Sequence, residues 1–189
     1  EEKRIKGQAF IPLPNKALKT LCNLNEVLVN FAQKHRPSEV ATLDQDATLA
    51  ETNKRQALYC YEKYKAYQPF NTYWHEQEML LHSEFRDGNV NAGFDQLRLL
   101  KESLSLLPQG VKKVYVRSDS AGYQEDFLRY CAEGKDERFG VIEFAIASKV
   151  TSAFKAAVLQ VPENDWQAIY KEDEKGKPIK TDQEWAEVG

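Results

Sequence analysis

The chain has 189 residues, a formal charge of −3 from 26 basic and 29 acidic side chains, and 42% hydrophobic residues. This length and composition predict one globular domain, or one domain and part of another, with a real core. They exclude a membrane-spanning helix, because no apolar run approaches about 20 residues, and they argue against a stand-alone DNA-binding module, which is usually basic.

The first part of the chain predicts a helix followed by a strand. Apolar residues recur at helical spacing over residues 14–33, which predicts an amphipathic helix. Pro37 ends it, because proline disfavours helical backbone in the residue before it. Residues 40–48 alternate and predict a strand, and the polar residues 52–56 predict a loop.

The next segment is rich in aromatic residues, which favour strands. Residues 59–74 hold seven of them and predict strand structure interrupted near Pro69. Residues 79–85 predict a further strand that ends in a turn at residues 86–89. The simplest arrangement of these two strands is a hairpin.

The second half of the chain alternates between strands and helices. Leucines on one face predict a helix over residues 94–107, and residues 112–116 predict a strand. A helix over 124–133, a strand over 139–147 and a helix over 151–161 follow.

The order of these elements predicts an α/β fold. Three consecutive strands indicate an antiparallel meander, and the strand–helix alternation adds parallel strands to the same sheet. This is the order of an RNase H-like mixed sheet with flanking helices. We divide the chain into an N-terminal helical segment (1–37), a partial RNase H-like core (38–165), and the start of an inserted β region or a tail (166–189). The charged residues 171–178 predict either a hairpin tip or a frayed tail.

Two acidic segments suggest the chemistry of the chain. Asp44 and Asp46 are two apart on a strand, so their side chains point to one face. Asp119 lies where a strand ends, before the small residues 120–122. Mg²⁺ takes oxygen ligands, and two such ions about 3.5–4 Å apart can stabilise both oxygens of a phosphoryl transfer. The alternative is that each aspartate merely caps a turn or helix.

Four segments resemble DDE-type transposases of bacterial insertion sequences. Residues 42–48 resemble the strand of the first aspartate, and residues 117–123 resemble the Arg-x-Asp-Ser-Gly-Phe segment of the second. Residues 67–70 resemble a Gly-Tyr-x-Pro-Leu strand, with Ala and Phe in place of its Gly and Leu. Residues 86–91 resemble an Arg-Glu-Gly-Asn-Val turn. The similarity runs from about residue 12 to the C-terminus.

The resemblance implies a catalytic domain that cuts and rejoins transposon-end DNA with a two-metal site of Mg²⁺ or Mn²⁺. Asp46 matches the first catalytic aspartate and Asp119 the second, while Asp44 either supports metal binding or tunes the charge. The family's third acid is a Glu on a later helix, and no segment here matches that helix. The chain does not begin with Met either. We therefore expect it to be truncated before the third acid, and to bind metal weakly and transfer no strands alone.

The resemblance also implies partners. They are double-stranded DNA of the transposon ends and the target, and a second copy of the protein in a homodimer on DNA, with no membrane involved. Lys54, Arg55 and Arg117 are the expected DNA contacts, although a surface salt bridge is an equal alternative for Arg117. For the aromatic segment we favour core packing over stacking on bases.

Two other functions stay open. One is a non-catalytic remnant of this fold that binds DNA or assists assembly, and the other is an RNase H-like nuclease unrelated to transposition. The three widely spaced cysteines, Cys22, Cys60 and Cys131, form no metal pair or disulfide framework, which favours reduced thiols in a cytoplasmic protein.

Overall fold

The computed structural model of the chain describes residues 9–188. In chain order the elements are α1 (Lys16–His35), β1 (Val40–Ala47), β2 (Ala50–Glu51), β3 (Leu58–Tyr59), β4 (Lys65–Tyr67), β5 (Phe70–Trp74), β6 (Met79–Glu84), α2 (Gln96–Leu106), β7 (Lys113–Ser118), α3 (Glu125–Ala132), β8 (Glu143–Ile146), α4 (Ser152–Val158), β9 (Gln167–Glu172) and β10 (Pro178–Trp185). None of the described helices has the length and apolar character needed to cross a bilayer. The chain divides into two units, the first ending at Ser148 and the second beginning at Lys149.

A five-stranded mixed sheet organises the first unit, with the spatial order β6-β5-β1-β7-β8. The strand β5 is antiparallel to both β1 and β6, whereas β7 and β8 run parallel to β1. The meander followed by parallel additions is the predicted RNase H-like order, and the predicted fold class is confirmed.

The burial of β1 follows the alternation of its side chains. Ala41, Leu43 and Gln45 face the core and are at most 2% exposed, whereas the side chains between them lie on the more open face. Residues of β5, β7, α2 and α3 complete the core beneath Leu43: Trp74, Leu100, Leu104, Val114, Val116, Phe127 and Cys131. The face of β1 that carries Asp44 and Asp46 is therefore the face left open for chemistry.

The predicted N-terminal helix is confirmed as α1. The side chain of Asn15 accepts a hydrogen bond from the backbone N–H of Leu18 at 2.9 Å and so caps its first turn. Asn25 anchors the helix to β6, because its Nδ2 donates to the carbonyls of Leu80 and Leu81.

The strand predicted over residues 139–147 is shorter than expected. Asp136 Oδ1 accepts hydrogen bonds from the backbone N–H groups of Arg138 and Phe139, which folds the chain into a turn closed by Gly140. β8 consequently begins only at Glu143.

A small three-stranded sheet with the order β2-β4-β3 was not predicted. Its strands are two or three residues long, too short for an alternating pattern to stand out. The sheet prolongs the β1–β5 pair: Ala47 pairs with Phe70, and Ala50 pairs with Tyr67 without any shift in register.

The second unit contains α4 and the antiparallel hairpin of β9 and β10. Residues 173–177 form the hairpin tip, which is one of the two predicted alternatives for this segment. Asp173 Oδ1 accepts hydrogen bonds from the backbone N–H groups of Lys175 and Lys177, and Gly176 supplies the positive φ that the turn needs.

Candidate active site

The register of two parallel strands places Asp46 and Asp119 at the same end of the strand pair. Asp44 of β1 is aligned with Arg117 of β7, and Gln45 with Ser118. Asp46 is the next residue of β1 and Asp119 directly follows the end of β7, and both are exposed. Because neighbouring strands lie about 4.8 Å apart, this register puts the backbone of both aspartates at the carboxyl end of one strand pair.

Asp119 is held in place by the turn that follows it. Its Oδ1 accepts a hydrogen bond from the backbone N–H of Ala121 at 2.9 Å, which caps the short 3₁₀ helix Ser120–Gly122. Asp119 therefore acts as a cap through Oδ1, which was the alternative to a metal ligand, while its Oδ2 has no hydrogen-bond partner among residues 9–188. A Cβ on Gly122 would lie 2.6 Å from Ser118 Oγ, so glycine lets the turn close against the strand.

Gln124, which the sequence analysis did not single out, holds the same turn through its side-chain amide. Its Nε2 donates to the carbonyl of Ala121 at 2.8 Å and to the carbonyl of Gly93 at 2.6 Å. The segment that carries Asp119 is thereby tied to the loop before α2.

Asp44 is engaged by Arg117. The guanidinium donates from Nε to Oδ1 at 2.5 Å and from Nη2 to Oδ2 at 2.7 Å, a two-pronged ion pair. The hydrogen bond to Asp44 raises the pKa of Arg117 above its ordinary value. Both oxygens of Asp44 are therefore occupied, and Arg117 forms the surface salt bridge that was the alternative to a phosphate contact.

Asp46 has a different environment. Its cross-strand neighbour is Asn71, whose Oδ1 accepts a hydrogen bond from Ser83 Oγ at 2.7 Å. In the part of the chain that the structure describes, the Asp46 carboxylate makes no hydrogen bond or ion pair. It is thus available to a ligand that approaches this end of the sheet.

A buried polar chain supports the strand ends from the core side. Gln45 Nε2 donates to Thr72 Oγ1 at 3.2 Å, and Ser103 Oγ lies 2.9 Å from the same hydroxyl. All three residues are at most 2% exposed, so they lock β1, β5 and α2 together. The signal that could have found them is Gln45, a polar residue at an inward-facing position of the strand.

Arg86, in the turn that follows β6, is structural. It is fully buried, its Nε donates to Glu84 Oε1 at 2.8 Å, and its Nη2 donates to the carbonyl of Phe94 at 2.9 Å. Its guanidinium also lies 4.9 Å from the centre of the Phe70 ring. Burial lowers the pKa of Arg86, and the Glu84 carboxylate opposes that shift.

The predicted DNA contacts Lys54 and Arg55 lie on the connection between β2 and β3. Both are exposed, and neither forms an ion pair with any described residue. They lie beyond the end of β1 that carries Asp46.

The aromatic segment splits into two groups. Phe70 and Trp74 are fully buried, as core packing requires, whereas Tyr59 is 64% and Tyr61 is 72% exposed. The prediction of core packing is therefore confirmed for the first pair and wrong for the second.

The acidic pair fits a divalent cation by the chemistry of its donors. Mg²⁺ is usually held by one or two carboxylates, with water as the remaining ligands, and Asp46 and Asp119 supply that number. Among residues 9–188, no group of three or more His, Cys, Asp or Glu side chains is arranged to hold a metal ion.

Comparisons with known proteins identify the family. Residues 11–187 match the model of a family described as transposase DDE domain, group 1. A search of curated proteins finds no match. A solved structure described as the crystal structure of the Mos1 strand transfer complex is similar over 78% of the chain, with 12% identity and a TM-score of 0.34. The chain spans about half, 47%, of that solved chain. From the family match over residues 11–187, the chain belongs to the transposase DDE domain family.

Proposed function

We propose that this chain carries two catalytic aspartates of a transposase that cuts transposon-end DNA and joins it to a target. The observation that carries the proposal is the β1–β7 register, in which Asp46 and Asp119 follow the aligned residues Gln45 and Ser118. Strand-end carboxylates from two neighbouring strands are the ligand type that metal-assisted phosphoryl transfer needs. Family membership supports the same reaction class.

Asp46 and Asp119 would hold Mg²⁺ or Mn²⁺. When bound, two such ions stabilise the attacking and leaving oxygens of the phosphodiester exchange. The Asp119 carboxylate keeps its direction through the bond from Ala121, and Gln124 holds the turn against the loop before α2. These contacts orient one ligand before any metal arrives.

Asp44 has a different role in this proposal from the metal ligand predicted from the sequence. Both of its oxygens accept from Arg117, so a metal would have to displace a two-pronged ion pair. We assign Asp44 to positioning Arg117 beside the acidic pair. Arg117 then reaches DNA only when a phosphate competes with Asp44 for the guanidinium.

In this proposal the protein contacts DNA first through the phosphate groups of the backbone. Lys54 and Arg55 are exposed cations beyond the Asp46 end of β1. Each phosphate contact that is lost should reduce the salt dependence of duplex binding by about 0.9 in the slope of log K against log salt. The protein would act on DNA in the cytoplasm as a homodimer.

The third acid of the site is proposed on the resemblance alone. A Glu on a later helix, outside these 189 residues, would complete the set, so the 189 residues by themselves should bind metal weakly and join no strands. Transposon-end cleavage is then a property of the protein with that helix. If that protein cuts generic DNA as fast as transposon ends, the nuclease alternative replaces transposition.

A Mn²⁺ titration of the chain tests the site directly. Electron paramagnetic resonance of free Mn²⁺ should report weak binding that Asp46→Asn and Asp119→Asn each abolish. Asp44→Asn should leave the affinity within about twofold, since Asp44 binds Arg117 instead. Asp182→Asn is the matched control, because Asp182 is an exposed aspartate of the second unit. Tight binding that survives Asp119→Asn would rule out this site.

A further inference from the structure

The three-stranded sheet carries an exposed aromatic face that none of the assigned roles uses. We call it the aromatic face, and it consists of Tyr59, Lys65 and Tyr67 of this sheet together with Phe85, which follows β6 and packs on Tyr67. Tyr59 is 64% exposed and Phe85 is 39% exposed, and the Phe85 ring lies 4.7 Å from the half-buried ring of Tyr67. Aromatic rings grouped on one exposed face offer apolar surface that a ligand can cover.

The backbone connects this face to the acidic pair without a break in register. Thr48 donates its backbone N–H to the carbonyl of Pro69 at 3.0 Å, between the pairs Ala47–Phe70 and Ala50–Tyr67. Because Pro69 has no N–H, it cannot donate a hydrogen bond to the neighbouring strand, and the two strands are interrupted there. The register of the pairing is nevertheless the same on both sides of Pro69.

The alternation of side chains along the strands places the aromatic face and the Asp46 side chain on the same side of the sheet. Ala50 is four residues after Asp46, so the two side chains share a face. Tyr67 lies opposite Ala50, and Lys65 is two residues before Tyr67. Tyr59 lies opposite Lys65. Tyr59, Lys65 and Tyr67 therefore line the same face of the ladder as Asp46.

The spacing fits a nucleic acid strand. Tyr67 lies opposite Ala50, four residues along the strand direction from Asp46, which corresponds to about 13 Å. Lys65 lies two residues further along the same direction, at about 20 Å from Asp46. An unpaired strand can extend beyond the duplex rise of about 3.4 Å per nucleotide, so these positions are at most about four and six nucleotides from Asp46.

The charge around the aromatic face favours an anionic ligand. The cations of residues 51–65 are Lys54, Arg55, Lys63 and Lys65, and none of them forms an ion pair with a described residue. The same stretch contains only two acids, Glu51 and Glu62. This stretch thus has more basic than acidic side chains next to exposed rings, a combination found in surfaces that bind single-stranded nucleic acid.

We propose that the aromatic face binds an unpaired stretch of DNA strand within about six nucleotides of the acidic pair, with Tyr59 stacking on a base and Lys65 contacting a phosphate. Stacking needs the flat face of a base, which a paired and stacked duplex does not offer. The proposal rests on the proposed function for its location next to the site of cleavage, and it assigns to that site a substrate in which the strand is locally unpaired.

The test is a set of binding measurements on the whole chain without metal. Fluorescence anisotropy in EDTA would compare a labelled 12-nucleotide single strand with a duplex of the same sequence. Tyr59→Ala should weaken single-strand binding by about 5- to 150-fold and change duplex binding by less than about twofold. Tyr59→Phe keeps the ring and should bind as the unchanged protein does. Tyr170→Ala, an equally exposed tyrosine of the second unit, is the matched control and should have no effect.

A second variant makes the result independent of any folding defect in the first. Lys65→Gln should lower the salt slope of single-strand binding by about 0.7, the value of one phosphate contact. The proposal is overturned if the unchanged chain does not bind the single strand, if Tyr59→Ala affects the two DNAs equally or not at all, or if Tyr59→Phe loses as much as Tyr59→Ala. Its failure is separate from failure of the proposed function, because single-strand binding in EDTA and the Mn²⁺ titration depend on different residues.

Discussion

Arg86 gives the sharpest test of what the turn after β6 does. Arg86→Met keeps an unbranched side chain in the buried site but removes the bonds to Glu84 and Phe94 and the contact with the Phe70 ring. Breaking a buried ion pair by removing one partner typically costs about 3–5 kcal/mol. The cost here should be about 2–4 kcal/mol, because Glu84 keeps a second partner, Arg98, at 2.7 Å.

The expected loss of unfolding free energy is large enough to measure by urea or thermal unfolding, each followed by circular dichroism. A change of about 2–4 kcal/mol corresponds to a fall of about 5–15 °C in Tm for a protein of this size. Arg129→Met is the matched control, because Arg129 forms a single ion pair with Glu125 on the surface, with side-chain exposures of 62% and 78%. That pair should contribute only about 0.3–0.5 kcal/mol.

Two results would refute this reasoning. The first is an unfolding midpoint for Arg86→Met equal to that of Arg129→Met, which would mean that burial adds nothing to the pair. The second is a reduced salt slope for duplex binding by folded Arg86→Met, which would make Arg86 a phosphate contact. A buried guanidinium that bonds Glu84 and a backbone carbonyl predicts neither outcome.

Two further changes test the packing and the electrostatics around the sheet. Gly88→Ala should destabilise the protein by about 1–3 kcal/mol in urea unfolding, because its Cβ would lie 2.3 Å from the carbonyl oxygen of Ala66 and backbone must move; an unchanged midpoint would contradict that close approach. For Glu76, burial raises the pKa, but hydrogen bonds from Thr42 outweigh it, and the pKa ends below the ordinary value of 4.5. A depressed pKa contributes stability that is present above pH 4.5 and is lost as the pH falls through the folded-state pKa. Stability of Glu76→Gln should therefore fall less between about pH 6 and pH 3 than that of the unchanged protein, and parallel pH curves would show that the bonds from Thr42 do not stabilise the carboxylate.

The sequence predicted the large elements because their patterns are long. The helix α1 and the strands β1, β5, β6 and β7 each repeat an apolar period over five or more residues or end in a recognisable turn. The three-stranded sheet has strands of two or three residues, and β8 starts late because the Asp136 side chain captures two backbone N–H groups. In both cases contacts that span a turn or a neighbouring strand decide the structure, and they leave no periodic signal in the chain.

The site was predictable only in part, for a related reason. Two aspartates at the ends of parallel strands can be expected to meet at one edge of a sheet. Their partners depend on the register between segments 73 residues apart, which packing of α2 and α3 against the sheet sets. Nothing in the local sequence indicates that Asp44 faces Arg117, or that Gln45 joins a buried chain through Thr72 to Ser103.

That register explains why two aspartates on one strand face have different chemistry. Asp44 lies opposite Arg117, so its charge is neutralised within the protein, whereas Asp46 and Asp119 both follow the aligned pair Gln45–Ser118, which gathers two negative charges at one strand end. Like charges at neighbouring strand positions are unfavourable in a folded chain, and a bound cation removes the repulsion. Because side chains alternate along a strand, a slip of one residue would bury the aspartates, and a slip of two would place Asp46 opposite Arg117 instead. The packing that fixes this register therefore also determines which of the two carboxylates pairs with Arg117 and which is left for a metal ion.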